Sequence, residues 1–261
     1  MINEALGIPP VASEHGHMID QMMEFLNWFI IILLVGWTLF FFFCLFRFNR
    51  KANPSASYHG VRSHASSHLE IGVVLVEAIL LLGFAFPLWG TRVNDYPTTP
   101  ETVRVRAVGY QFGWLIHYPG PDGKFGNTDL SKVSAADSDT QIGLSREGFG
   151  ADDIIRTTLT LPKDRPAIVQ LSSKDVIHNY SIKAMRIAQD AIPGMEIPMW
   201  FTPIKEGTYD VVCAQLCGSG HAAMASTMTV VPNEEFSAEF EGGGEVANTD
   251  KEKTDAVAAV N

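Results

Sequence analysis

The hydrophobic pattern changes character once along this chain, close to Trp89, and the change separates two kinds of structure. From Phe25 to Phe46 apolar residues follow one another with no charge among them. At about 1.5 Å of rise per residue such a run crosses the hydrocarbon core of a bilayer as one helix. A second run, Leu69 to Trp89, is nearly as apolar and carries only Glu70 and Glu77 as charges. Beyond Trp89 the continuous pattern gives way to alternation. Val103–Val108 alternates with period two, as do parts of Thr157–Leu161, Ala167–Leu171, Ser181–Met185 and Thr208–Val212. Short strands broken by Pro and Gly predict an all-β antiparallel sandwich or barrel. The stretch Pro119–Asp153 is rich in Gly, Asp and Ser and lacks periodicity, which predicts a long surface loop or insertion. The end, Glu241–Asn261, holds three glycines and no aromatic residue and predicts a flexible tail.

Charge orients the hairpin. Arg47, Arg50, Lys51 and Arg62 lie between the two runs, whereas the segment before Phe25 holds Glu4, Glu14, Asp20 and Glu24 and no Lys or Arg. The positive-inside rule then puts the connecting loop in the cytoplasm and everything after Trp89 on the outer, periplasmic side. The opening stretch is acidic and contains Pro9 and Pro10, unlike the basic start of a cleaved signal, so the first span is expected to be retained, or to have been preceded by a segment already removed. The expected layout is an external segment over 1–24, membrane helices over 25–46 and 69–89 joined by a cytoplasmic loop over 47–68, an outer β domain over 90–240, and the tail over 241–261. Lipid surrounds the spans, and a formal net charge of -10 leaves no expectation of a nucleic-acid partner. Cys44 sits inside the first run and reads as a small packed hydrophobe. Glu70 and Glu77 are about two helical turns apart and share a face, and intramembrane carboxylates default to a functional reading; the alternative for Glu70 is a helix-end side chain reaching water.

The candidate chemistry lies in one short stretch, Cys213-Ala-Gln-Leu-Cys217-Gly-Ser-Gly-His221-Ala-Ala-Met224. Two thiolates, an imidazole and a thioether form a soft donor set that favours copper over hard, oxygen-preferring ions. His178, in the strand-like segment Val176–Ile182, is the candidate for a further strong ligand. One Cys would suit a mononuclear site, whereas two Cys four apart can each bridge two metal ions. Two other readings stay open on residue types alone. The cysteines could form a disulfide, which leaves His178, His221 and Met224 without a role, or the set could hold structural zinc, for which a thioether is an unusual ligand and the spacing a poor match.

The run resembles the dinuclear copper (CuA) loop of cytochrome c oxidase subunit II, in the haem-copper oxidase family. Ser172-Ser173-Lys-Asp175-Val-Ile-His178 is similar to the family segment that carries the first histidine, Asp190-Ala-Ile-Pro-Gly194 to the loop after it, and Gly109-Tyr-Gln111-Phe-Gly-Trp114 to the aromatic segment opening the copper domain. The resemblance implies a cupredoxin-like Greek key. It implies that Cys213 and Cys217 bridge two coppers, that His178 and His221 cap one each, and that Met224 and the Gln215 carbonyl are the weak ligands. It also implies an electron-accepting subunit of a respiratory oxidase in a bacterial plasma membrane, fed by cytochrome c and delivering to haem in subunit I, with subunit III as a further neighbour. Oxygen reduction and proton pumping then belong to subunit I, and haem is expected only there. Glu70 falls where relatives have a glutamate at the mouth of a proton path. Glu77 falls where many relatives have proline, so no role transfers to it.

Three positions depart from the family pattern. Phe112 stands where relatives take in electrons through a tryptophan, with Trp114 two places on as a second candidate. Gln215 replaces a glutamate whose carboxylate helps hold magnesium or manganese at the subunit interface, and a neutral amide disfavours that ion. Gly113 replaces a bulkier residue. A quinol-oxidase subunit would lack the ligands, and a nitrous oxide reductase would carry the loop on a larger chain without spans. The rival from another class is a membrane-tethered copper-binding or copper-delivery protein without a redox partner. The acidic residues Asp122, Asp129, Asp137, Asp139, Glu147, Asp152 and Asp153 read equally as a solvated face and as a field steering a basic cytochrome c, with Asp190 adding to it.

Overall fold

The computed structural model describes residues 2–55, 58–60, 63–134 and 141–242. Arg62, Asp137, Asp139 and the tail beyond Gly242 lie outside the described residues. The chain divides into two compact units, one formed by residues up to Tyr96 and the other from Pro97 onward, with Ala12–Glu14 belonging to the second.

In the first unit a long helix runs Gly16–Arg47 and another Ala65–Val93, with mean hydropathy 2.8 and 2.4 over their most apolar windows. Both are longer than the apolar runs, because helical hydrogen bonding does not stop where the membrane-compatible residues do: Met18, Met22 and Met23 carry the helical pattern back past Asp20 and Glu24. The segment 1–24 is therefore helical from Gly16 onward. Neither helix buries its most apolar window inside the chain, so side chains such as Trp37, Phe41 and Leu82 lie exposed. In water that surface would be costly; in lipid it is matched to its solvent. The second helix loosens into a π turn at Leu81–Ala85, just before Pro87. Proline has no N–H to give the carbonyl one turn back, and the wider turn takes up the mismatch.

The second unit is the expected all-β sandwich. Its strands are β1 (Val103–Tyr110), β2 (Gly113–Tyr118), β3 (Ile154–Arg156), β4 (Leu159–Pro162), β5 (Ala167–Ser173), β6 (His178–Ile182), β7 (Ile187–Ala191), β8 (Ile197–Phe201), β9 (Gly207–Cys213) and β10 (Ala225–Val231). They form two five-stranded sheets, ordered β3-β2-β1-β5-β8 and β4-β10-β9-β6-β7. Most pairs are antiparallel, but β1 with β5 and β10 with β4 are parallel, the crossovers expected of a Greek key. The alternation read from the sequence is the inward face: Val103, Val105 and Ala107 of β1 and Val169 and Leu171 of β5 are buried against Leu159, Leu161, Tyr180, Ile182 and Val211.

Three expectations change. Ser181–Met185 is not one strand: β6 ends at Ile182 and a 3-10 turn follows, after which Arg186, at φ 53, reverses the chain into β7. Met185 is nonetheless fully buried, so its alternating position marked burial rather than strand. The stretch Pro119–Asp153 is irregular in backbone but not merely surface, because Ile142 and Leu144 pack with Leu115 and Ile155 into a second small core on the outer face of β2. That cover is why β2 is buried on both faces and reads as a continuous apolar run. Finally, Glu241 is not part of a loose tail. It ends a helical segment, Ser237–Glu241, and accepts two hydrogen bonds from the Arg165 guanidinium at 3.1 and 2.8 Å.

Candidate metal centre

Strand register brings the candidate ligands together. Where β6 meets β9, Tyr180 stands opposite Cys213 and Ser181 opposite Val212. Side chains two apart on a strand share a face, so His178 and Tyr180 both point inward, and His178 reaches the point where β9 ends and its loop begins. β9 and β10 close the base of that loop: Val212 pairs with Ala225, and the Cys213 N–H donates to the Met224 carbonyl at 3.2 Å. The loop between is thereby folded over its own start, which returns Cys217, His221 and Met224 to Cys213.

The donor atoms converge. Cys213 Sγ lies 3.9 Å from Cys217 Sγ, and both thiols are free and buried. Each sulfur has its own imidazole: His178 Nδ1 is 3.9 Å from Cys213 Sγ, and His221 Nδ1 is 3.6 Å from Cys217 Sγ. Met224 Sδ lies 3.6 Å from Cys217 Sγ, and the Gln215 carbonyl 3.2 Å from Cys213 Sγ. The Gln215 side chain is exposed. The nearest ligand atoms of His178, Cys213 and Cys217 lie within 4.8 Å of one another.

Surrounding groups fix these donors. His178 is fully buried, and its Nε2–H donates to Asp175 Oδ1 at 2.9 Å, which leaves the Nδ1 lone pair facing the sulfurs, the tautomer a metal needs. Burial pushes the Asp175 carboxyl up, but hydrogen bonds from His178 and from the Val176 and Gln111 N–H groups outweigh it and hold the group below its ordinary value. Trp114 meets the His178 ring edge-on at 5.8 Å and Tyr180 at 4.7 Å. Gly109 makes room for both: a Cβ there would lie 2.9 Å from His178 Cδ2 and 3.0 Å from Trp114 Cζ3. Burial raises the Cys217 thiol above its ordinary value, and the neighbouring Cys213 adds to this, so metal uptake must expel its proton. Free thiols, an imidazole whose Nδ1 faces them and a thioether match copper's preferences. The residues present fit a copper centre.

The other residues singled out from sequence separate. Phe112 is 39% exposed and lies against Gly218 and Gly220 of the loop, whereas Trp114 is 2% exposed and belongs to the core. Glu70 is exposed on the second long helix. Glu77 lines an apolar groove of about 880 Å³ with Met22, Phe25 and Phe84. Among the acidic residues of the insertion, Asp122, Asp129 and Glu147 are exposed and Asp152 is half-buried. Asp153 is buried, its Oδ2 2.5 Å from His117 Nε2, and contributes no exposed charge. Asp190 is half-buried and accepts a hydrogen bond from the Asn179 amide at 2.7 Å. Sequence reasoning passed over Gly109, Gln111 and Asp175 as functional positions, although all three lie in the two segments that flank the ligands.

The family described as "Cytochrome C oxidase subunit II, periplasmic domain" matches residues 103–231, which is the sandwich from β1 to β10. The alternative cytochrome c oxidase subunit 2 of Bradyrhizobium diazoefficiens is 31% identical over 237 residues, 89% of this chain and 82% of the relative. The cytochrome c oxidase subunit 2 of Cereibacter sphaeroides is 27% identical over 249 residues, 90% of this chain and 79% of that one. A crystal structure of the periplasmic domain of subunit II from Bradyrhizobium japonicum aligns with 54% of this chain and 91% of its own, at 28% identity and a TM-score of 0.39. An alignment of 237 residues must take in helical unit and sandwich alike, and on that extent of similarity the chain belongs to the cytochrome c oxidase subunit II family.

Proposed function

We propose that this subunit takes electrons from a cytochrome c on its outer domain and delivers them to haem in subunit I, where oxygen is reduced and protons are pumped. The observation that carries the reading is the doubled arrangement of donors: two buried thiols 3.9 Å apart, each with its own imidazole nitrogen. Cys213 and Cys217 would bridge two coppers, with His178 and His221 outside and Met224 and the Gln215 carbonyl as weaker donors. Copper held there supplies one-electron exchange. The chain's own contribution is rigidity. Asp175 and Trp114 hold the His178 ring, and a loop pinned at both ends changes little between oxidation states, which favours fast transfer.

Phe112 is the proposed contact for the donor protein, because it is exposed directly against the metal loop, while buried Trp114 supports His178 instead. Asp122, Asp129 and Glu147 supply the exposed negative charge that would steer a basic partner. Glu70 is proposed as a point of proton uptake toward subunit I, in a bacterial plasma membrane with subunit III alongside. Gln215, exposed and neutral, offers little to an interfacial magnesium or manganese ion. The test is paramagnetic resonance of the copper-loaded full chain in detergent. Two coppers sharing one unpaired electron give a seven-line hyperfine pattern. A four-line spectrum with one copper per chain would refute the dinuclear reading.

A further inference from the structure

The geometry assigns Gln111 as a positioning residue that ties both ligand-bearing segments to the turn after β1 before any metal binds. The inference rests on the metal-centre reading above. Gln111 lies in the turn between β1 and β2, whose base is closed by the pairing of Tyr110 with Gly113, so its backbone is fixed by two strands. Its N–H donates to Asp175 Oδ2 at 2.7 Å, and the other oxygen of that carboxylate holds His178 Nε2 at 2.9 Å. Its side-chain Nε2 donates to the carbonyl of Cys217 at 2.5 Å. One residue thus reaches the His178 arm through its main chain and the Cys217 arm through its side chain.

The loop is shaped to receive that amide. Gly218, next to Cys217, sits at φ +140, and a Cβ there would lie 2.8 Å from Gln111 Nε2 and 3.1 Å from the Phe112 ring. A residue without Cβ is therefore required both by the backbone angle and by the approach of the Gln111–Phe112 pair. Residues 215–220 otherwise turn back on themselves, as in the His221 N–H bond to the Gly218 carbonyl at 3.2 Å. A loop held by the bonds at its base, from Cys213 to Met224 and from Ala214 to Asn179, and by the Phe112 ring against its glycines would still sample several positions of Cys217 and His221. The bond from Gln111 removes that freedom in advance, which is how a preorganised site retains metal.

The test compares Gln111→Met, which keeps the length and removes the donor, with Gln111→Glu, which keeps the shape and turns an acceptor toward the Cys217 carbonyl. Hydrogen exchange is measured on the metal-free full chain in detergent, and copper release to a chelator on the loaded chain. Loss of one such hydrogen bond predicts exchange at residues 213–224 and copper release faster by about tenfold in Gln111→Met, with an altered copper hyperfine pattern. Exchange in β5 and β8 should be unchanged. Should Gln111→Met also loosen 103–118, Gln111→Glu decides, because it preserves the fit of the turn. Wild-type exchange and release in both variants would overturn the assignment, as would a change confined to the KM of the assembled oxidase for cytochrome c, which would make Gln111 a docking residue. The exchange comparison is made without metal, so it decides the role of Gln111 even if the copper spectrum of the wild type refutes a dinuclear centre.

Discussion

Replacing Gly109 with alanine should disturb the metal centre from behind, without replacing a ligand. The added Cβ would lie 2.9 Å from His178 Cδ2 and 3.0 Å from Trp114 Cζ3, where ordinary contacts are 3.4–4 Å. One ring or the other must therefore move by roughly half an ångström, and neither is free to do so. His178 is tethered through Nε2 to Asp175 at 2.9 Å, and Trp114 is 2% exposed and packed edge-on against Tyr180 at 4.7 Å. Overpacking of this kind costs about 1–3 kcal/mol. Alanine also restricts the unfolded chain, which offsets about 0.4–1 kcal/mol. The net expectation is about 1–2 kcal/mol, a fall in Tm of a few degrees for a unit of this size. Thermal unfolding of the metal-free chain in detergent, followed by tryptophan fluorescence, measures this, and the copper spectrum of the loaded chain reports the His178 displacement. Adding Trp114→Phe should return part of the space, so the double variant should lose less than the sum of the singles. A Tm within one degree of wild type together with an unchanged spectrum would show that the rings do not confine this position.

Three further outcomes are expected. If the proposed dinuclear centre is right, Met224→Leu should keep both coppers while shifting the reduction potential, because a thioether would be a weak donor whose loss leaves thiolates and imidazoles in place; loss of copper would contradict that role. Burial holds the His117 imidazole below its ordinary value despite the hydrogen bond to Asp153, so the unfolded chain takes up its proton first as pH falls below about 6.5. Stability should therefore decline below that pH, and urea titrations of wild type and His117→Gln should show the variant losing less between pH 7 and 5, equal losses counting against the argument. Association with cytochrome c should weaken steeply with salt, since charges such as Asp122 and Asp129 are exposed and screened within about 8–10 Å at physiological ionic strength; a salt-independent rate in stopped-flow mixing would remove these residues from docking.

Sequence alone determined the parts of this protein that depend on local composition. An uncharged run such as Phe25–Phe46 has one low-energy form in lipid, and the alternation of Val103–Val108 has one buried face, so helices and sandwich were both legible. The donor types of the candidate centre were legible too, because Cys213, Cys217, His221 and Met224 fall in one loop, a soft set that favours copper. Tertiary structure alone decided what joins distant segments. The pairing of Tyr180 with Cys213 carries His178 to the loop, and no local pattern encodes that register. Phe112 and Trp114 look equivalent in sequence, yet one lies exposed on the loop and the other fills the core, because the turn between β1 and β2 sends their side chains to different environments. Asp153 reads as one more surface carboxylate until the insertion folds over β2 and buries it against His117. Gly109, Gln111 and Asp175 acquire meaning only from what they face across the sandwich, since a glycine or a hydrogen bond owes its role to atoms contributed from elsewhere in the chain.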